Sequence, residues 1–211
     1  MHPKPLVVAN LKKQFGSLIV FRNFSLNVED GETVVLKGPN GVGKSTLLGC
    51  LCGNIIADEG NIYVANLDLM RHPMDARRQL RFVAQEPEIP IGLTGEEVLE
   101  FYAGVFQARH QLGEARQQTQ LGEALDRLAS TYSFGMKKRL AIACQALGNA
   151  KLYLFDELLA GLDHASIETT VSWLHTLQNQ GCGLLFAAHN QEISALLSLQ
   201  PRQIDLSALS L

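Results

Sequence analysis

The 211-residue sequence predicts an α/β protein in which helices flank a mostly parallel sheet, and two patterns support that prediction. First, a short apolar run at residues 33–36 is followed by a glycine-rich loop and by residues 45–52, whose leucines have helical spacing. Second, strand-like and helix-like patterns alternate over residues 151–188. Hydrophobic residues make up 46% of the chain, which is enough for a substantial core.

The front of the chain predicts a separate antiparallel β-subdomain. Apolar, β-branched runs occur at residues 6–11, 18–21 and 24–28, and Phe15-Gly16 separates the first run from the second. Further along, the sequence predicts a turn at 58–61, a strand at 62–64, a short exposed basic helix at 71–81 and a strand at 82–85.

The middle of the chain predicts an α-helical subdomain, about residues 87–135, inserted into the α/β core. A proline-rich loop at 86–93 precedes Thr94 and Glu97, which form a capping box at the head of an apolar helix. We expect more helix at 110–126. The back half then predicts helices at 136–147 and 165–178, strands at 151–155 and 183–188, and one more helix or strand in 191–211.

Composition restricts the compartment and the partners. The net charge of −3 argues against a general nucleic-acid-binding face, so we expect no nucleic-acid partner. No stretch approaches the roughly 18 consecutive apolar residues of a membrane span, and no secretory signal is recognisable, which favours the cytoplasm. The four cysteines, which we expect to be free buried thiols, fit that compartment.

Residues 38–46, GPNGVGKST, fill every fixed position of the phosphate-binding pattern G-x-x-x-x-G-K-[ST]. Glycines let the backbone wrap so that its N–H groups point at phosphate oxygens, and a helix N-terminus adds partial positive charge. The loop therefore predicts a P-loop NTPase core that binds a nucleoside triphosphate. The residues expected to hold it are Gly38, Asn40, Gly41, Val42, Gly43, Lys44, Ser45 and Thr46.

Polar residues also end two predicted strands of the back half. Asp156 and Glu157 follow one strand, and His189 follows the next. Because ligands collect outside the carboxyl ends of parallel strands, we expect all three beside the phosphate loop. Asp156, together with the Ser45 hydroxyl, would hold Mg²⁺, and Glu157 would polarise a water for attack on the γ-phosphorus.

Ser133 precedes a helix that starts with three cations, Lys137, Lys138 and Arg139. Ser133 can cap that helix and leave N–H groups for an anion. Cations there oppose the helix dipole, which hints at a second phosphate site.

Together these residues resemble the nucleotide-binding domain of ATP-binding cassette (ABC) ATPases, across almost the whole chain 1–211. The loop at 38–46 is similar to their Walker A, and LYLFDE at 152–157 is similar to Walker B with its catalytic glutamate. Residues 160–163 resemble the D-loop. The resemblance implies that His189 is the switch histidine, that Gln85 senses magnesium, and that Phe15 stacks on adenine.

The signature of the family, usually LSGGQ, is altered here. The aligned residues 132–136 read YSFGM, so Ser133 and Gly135 are kept while Phe134 and Met136 differ. Phe134 puts bulk where a partner's γ-phosphate should dock. Leu158 replaces the proline that commonly follows the catalytic glutamate.

The resemblance implies a mechanism in which two cassettes sandwich two Mg-ATP, each held by the Walker motifs of one chain and the signature of the other. The chain would pair as a homodimer or as a heterodimer with a second cassette. Glu157, His189 and Lys44 would be its catalytic residues, and separate transmembrane permease subunits would be driven from the cytoplasmic face of the membrane. Compact length and the YSFGM signature are similar to exporter-type cassettes, including the haem-exporter type.

Two alternatives remain open at this stage. One is a soluble, non-transport ABC ATPase acting in translation or DNA maintenance, although such proteins carry a second cassette or a long coiled-coil insertion. The other is a degenerate cassette acting as the weak half of a heterodimer, which Phe134 suggests.

Overall fold

The computed structural model describes residues 4–209, except for the side chains of residues 190, 191, 208 and 209. This part of the chain falls into two compact units. The first unit comprises the residues up to Phe82, then Ala150–Glu157, and the residues from Leu174 onward. The second comprises Val83–Asn149 and Leu158–Trp173. The fold class predicted from the sequence is confirmed by the two sheets and their flanking helices, described below.

An antiparallel sheet of four strands has the order β2-β1-β4-β5. Its strands are β1 (Leu6–Phe15), β2 (Leu18–Val28), β4 (Glu59–Val64) and β5 (Leu67–Asp68). The runs at 18–21 and 24–28 form one strand instead of two. The predicted turn at 58–61 is wrong for three of its residues, because Glu59 to Asn61 pair with β1 around an irregularity in its register.

A second sheet of five strands has the order β6-β7-β8-β3-β9 and carries the candidate site. Its strands are β3 (Thr33–Lys37), β6 (Leu80–Val83), β7 (Leu152–Asp156), β8 (Gly183–Ala187) and β9 (Arg202–Asp205). The pairs β7–β8, β8–β3 and β3–β9 are parallel. β7 and β8 are buried along their whole length, and β3 is buried except at Lys37, which is typical of parallel strands covered on both faces.

The helices of the first unit are α1 (Lys44–Leu51), α2 (Pro73–Arg78) and α7 (Asn190–Leu196), with 3₁₀ turns at Leu197–Leu199 and Leu206–Leu209. The predicted basic helix is therefore shorter than expected, since β6 already begins at Leu80. Within the predicted range 191–211, the described residues hold both a helix and a strand, although the sequence predicted one or the other.

The helices within the second unit are α3 (Gly95–Val105), α4 (Leu112–Thr119) and α5 (Phe134–Ala146). Short 3₁₀ turns lie at Arg109–Gln111, Gly122–Asp126 and Ala129–Thr131, so the predicted helix over 110–126 is interrupted. The longer helix α6 (His164–Asn179) follows β7. The capping box is confirmed: Thr94 Oγ1 accepts from the Glu97 N–H and Glu97 Oε2 accepts from the Thr94 N–H, at 3.2 and 2.8 Å.

Each unit has its own hydrophobic core. The core of the first packs α1 between the two sheets, with Leu47, Leu48 and Leu51 fully buried. The core of the second is built from α3, α4 and α5 around Leu99 and Leu140. All four cysteines are buried free thiols, as predicted, and burial raises the pKa of Cys50 to about 11. Among residues 4–209, no helix is both long and apolar enough to cross a bilayer.

Candidate active site

The glycine loop connects the buried strand β3 to the N-terminus of α1. Gly43 occupies the N-cap position of α1 with φ +108°, a backbone conformation that residues with a side chain rarely adopt. A Cβ at Gly43 would also lie 2.4 Å from Cγ1 of Val20, so β2 packs directly on the loop. A glycine is required here for both reasons, and it lets the backbone turn into the helix.

The ammonium group of Lys44 lies inside the loop. Lys44 is 7% exposed, and its Nζ donates to the carbonyl oxygens of Gly38 at 2.8 Å and Pro39 at 3.2 Å. Both of these partners are neutral carbonyl groups, not carboxylates. The positive charge is therefore withdrawn from water and balanced only by carbonyl dipoles, which favours an anion in the loop.

The first turn of α1 adds to this preference. It contains no acidic residue, although a carboxylate is the usual complement to the positive end of a helix. Ser45, Asn40 and Gly41 are exposed, while Val42 and Thr46 are half-buried. The N–H groups at the start of the helix and the Ser45 hydroxyl thus line a surface suited to phosphate oxygens and a magnesium ion.

The polar residues predicted at strand ends lie at one edge of the sheet. Asp156 is the last residue of β7 and pairs with Ala187, the last residue of β8, while β8 lies beside β3. Asp156 is buried, being 6% exposed, and its carboxylate is an oxygen donor of the kind Mg²⁺ prefers. The carboxyl ends of β7, β8 and β3 therefore meet side by side, with the glycine loop following β3.

Glu157 and His189 form a direct contact at this edge. Glu157 Oε1 lies 2.7 Å from His189 Nε2, and the two side chains are 19% and 40% exposed. Glu157 has φ +45°, in the left-handed region, which costs a non-glycine residue on the order of 1–3 kcal/mol. The strained backbone is held by the Glu157 N–H, which donates to the Ala187 carbonyl at 2.9 Å. Strain of this kind is typical of functional sites.

A pocket of about 570 Å³ adjoins the loop, and several of its residues were not predicted as site residues. It is lined by Lys37, Gly38, Pro39, Ala188, His189, Asp205 and Ser207. Hydrogen bonds from the Ser207 hydroxyl and N–H lower the pKa of Asp205, and the charge of Lys37 adds to that effect. Asp205 and Ser207, polar residues at and just beyond the end of β9, were the available signal, but the position of β9 beside β3 was not predictable from the sequence.

Phe15 ends β1 and is 51% exposed, with the Lys13 ammonium 4.9 Å from its ring centroid. An exposed aromatic ring with a cation beside it can stack on a nucleobase.

The other predicted site residues, Gln85, Ser133 and Gly135, lie in the second unit. Ser133 caps α5 as expected, because its hydroxyl accepts from the Met136 N–H at 3.3 Å. The idea that Lys138 serves a phosphate site is wrong. Lys138 is fully buried, and its Nζ donates to the carbonyl oxygens of Ala84 at 3.0 Å and Gln85 at 2.9 Å. It thereby holds the backbone at Gln85. This role was not predicted, because in the sequence Lys138 lies between two other cations.

A buried lysine inside a glycine loop, with acidic residues at the carboxyl end of a strand in the same sheet, defines a P-loop nucleotide-binding protein. A family model described as ABC transporter matches residues 21–160. The chain therefore belongs to the ABC transporter family, and it is an ATP-binding ATPase of that family.

Individual proteins show how close the similarity is. The chain is 33% identical to a Haemophilus influenzae lipopolysaccharide export ATP-binding protein, LptB, over 88% of this chain and 80% of that protein. It is 29% identical to a Vibrio vulnificus maltose/maltodextrin import ATP-binding protein, MalK, over 88% of this chain and 52% of that protein. The chain thus spans from about half to about four fifths of these relatives.

A solved structure has the same fold. The dimeric, post-hydrolysis structure of the ATP-binding cassette MJ0796 bound to ADP and Pi superposes with a TM-score of 0.79 at 25% identity. The superposition covers 89% of each chain.

Proposed function

We propose that Glu157 is the general base of ATP hydrolysis and that His189 steadies the γ-phosphate. The observation that carries this proposal is the 2.7 Å contact between Glu157 and His189 at the sheet edge that also holds the glycine loop. Lys44 would neutralise charge that builds up on the phosphoryl oxygens in the transition state. The loop residues and Phe15 would hold the phosphates and the adenine ring.

Magnesium fits the residues at this edge. The Ser45 hydroxyl and the Asp156 carboxylate are hard oxygen donors. Gln85 is proposed as a further ligand, directly or through water, on the family resemblance alone. When bound, Mg²⁺ supplies positive charge to the β- and γ-phosphates. The residues of this chain contribute by fixing those oxygens: the strand end holds Asp156, and Lys138 holds the backbone at Gln85.

A second copy would complete each site. Ser133 and Gly135 begin α5, whose free N–H groups and cap suit a phosphate from another chain. We therefore propose a homodimer in which two ATP molecules lie between the loop of one chain and the signature of the other. The dimeric state of the MJ0796 structure, which contains ADP and Pi, supports this arrangement.

The whole chain would act as one nucleotide-binding domain, with the segment of about residues 87–135 as its helical subdomain. Ile91, in the loop that precedes α3, is a 94% exposed apolar side chain that a membrane permease subunit would cover. The chain would then sit on the cytoplasmic face of the membrane. Export is the proposed direction, supported by the similarity to the lipopolysaccharide exporter LptB and by the YSFGM signature.

The test is the size of the Glu157→Gln variant by gel filtration with light scattering. With ATP and Mg²⁺ the variant should elute at twice the monomer mass, and without nucleotide at the monomer mass, because unhydrolysed ATP joins the two chains. Wild type under the same conditions is the control and should return to monomer as ATP is consumed. A variant that binds ATP yet stays monomeric would contradict the homodimer and direct attention to a second, different cassette.

A further inference from the structure

The ring of Phe134 lies directly on Gly161. A Cβ built at Gly161 would be 2.4 Å from both Cδ1 and Cε1 of Phe134, a separation that real Cβ atoms do not show. Gly161 also has φ +76°. Residue 161 must therefore be glycine while residue 134 carries this ring. The signature alignment places Phe134 where a partner's γ-phosphate should dock. In the structure, its ring packs against a loop of its own chain.

The same loop, residues 158–163, also contacts the start of α5 through its backbone, and its other end is fixed to α6. A Cβ at Gly135 would lie 2.8 Å from the Gly161 carbonyl oxygen, so the two backbones are in close contact. At the end of the loop, Asp163 caps α6 by accepting from the Ser166 N–H at 2.8 Å. Hydrogen bonds from the Ser166 N–H and hydroxyl lower the pKa of Asp163, and the positive charge of Arg139 on α5 lowers this pKa further.

The loop begins where the first unit ends. Glu157 is the last residue of a segment of the first unit, and Leu158 is the first residue of a segment of the second. Glu157 is fixed by its own contacts with Ala187 and His189. Because Leu158 follows Glu157 directly, the placement of residues 158–163 constrains the backbone of Glu157 in addition to these two contacts.

We propose that Phe134 is a positioning residue: it clamps residues 158–163 to the start of α5, and this clamp sets the rate of hydrolysis at Glu157. The inference rests on the proposed catalytic role of Glu157. In this view Phe134 and Gly161 are matched to each other. Because Gly161 has no side chain, the loop has room for the ring of Phe134. The first turn of α5 therefore keeps its cap and its N–H groups.

The first test compares Phe134→Ala with Phe134→Tyr in the full chain. Phe134→Ala should lower kcat for ATP hydrolysis at least about tenfold, since small misplacements of a reacting group cost up to about 100-fold. The Kd of the monomeric chain for ATP should change by less than about twofold, because Phe134 does not line the glycine loop of its own chain. Phe134→Tyr keeps the ring and should retain wild-type kcat. Phe101→Ala, which removes a ring that is 55% exposed on α3 in the same unit, is the matched control and should also keep it.

The second test measures the clamp without using activity. Amide hydrogen exchange of residues 158–163 should speed up in Phe134→Ala and stay unchanged in Phe101→Ala. Gly161→Ala should lower Tm more in wild type than in the Phe134→Ala background, because the 2.4 Å clash requires the ring.

Unchanged kcat in Phe134→Ala, additive Tm shifts in the double variant, or unchanged exchange of the loop would each overturn the proposal. A failure of the proposed function would give a different experimental result. If Glu157 is not the base, the Glu157→Gln variant keeps hydrolysing ATP, whatever the exchange of residues 158–163.

Discussion

Replacing Glu157 by glutamine is expected to lower the rate of ATP hydrolysis by about 100- to 10,000-fold while leaving the Kd for ATP nearly unchanged. Glutamine has the same shape and can keep the 2.7 Å contact with His189, but it cannot take a proton from water. The measurement is steady-state release of phosphate at saturating ATP and Mg²⁺, with the Kd determined separately.

Glu168→Gln is the matched control. The Glu168 side chain is 70% exposed on α6 and lies 3.5 Å from His164, so its replacement should leave hydrolysis within about twofold of wild type. If Glu157→Gln keeps more than about a tenth of the wild-type rate, the base is a different group. His189 would then be the first candidate to examine, because it is in direct contact.

Replacing Lys44 by alanine is expected to raise the Kd for ATP by roughly 100-fold, which corresponds to about 3 kcal/mol. The loss follows from the position of the ammonium group: it is buried in the loop and hydrogen-bonded to the carbonyls of Gly38 and Pro39. Those carbonyls would then face phosphate oxygens without a neutralising charge. Isothermal titration calorimetry with the non-hydrolysable analogue AMP-PNP measures the change without interference from turnover.

Lys151→Ala is the control for Lys44→Ala, since Lys151 is an exposed lysine directly before β7. It should leave the Kd unchanged. A Lys44→Ala variant that binds the analogue as tightly as wild type would show that the loop is not the main phosphate site. Thermal unfolding of both variants should be recorded in parallel, because a folding defect in Lys44→Ala would itself reduce binding.

The parts of the site that follow from local pattern were predictable from the sequence. The glycine loop is specified by a contiguous run of residues, and Asp156, Glu157 and His189 were found because each lies at or just beyond the end of an apolar strand. The parallel order of β7, β8 and β3 then brings those strand ends together. Likewise, the capping box at Thr94 depends only on residues three apart.

The parts that depend on distant contacts were not predictable. Lys138 stands among cations in the sequence, and only the packing of α5 shows that it is buried against the carbonyls of Ala84 and Gln85. The contact of Phe134 with Gly161 joins residues 27 positions apart. Ser207 reaches the glycine loop because β9 pairs with β3 across more than 160 residues, a pairing that no local pattern specifies.

Mixing two inactive variants tests most directly the proposal that each ATP site is shared between two copies of this chain. Glu157→Gln lacks the proposed base but keeps an intact signature. Ser133→Asp keeps a good helix cap, which aspartate provides as well as serine, but its charge repels the γ-phosphate of the partner's ATP. Ser133→Asn, a neutral cap of the same shape, is the control and should remain active by itself.

The two inactive variants are mixed without nucleotide, and phosphate release is measured after ATP and Mg²⁺ are added. Random pairing makes about half of the dimers mixed, and each mixed dimer has one intact site of two. We therefore expect about a quarter of the wild-type rate from a mixture of two proteins that are inactive alone. A mixture as inactive as its components, in which mixed dimers form, would contradict the shared site.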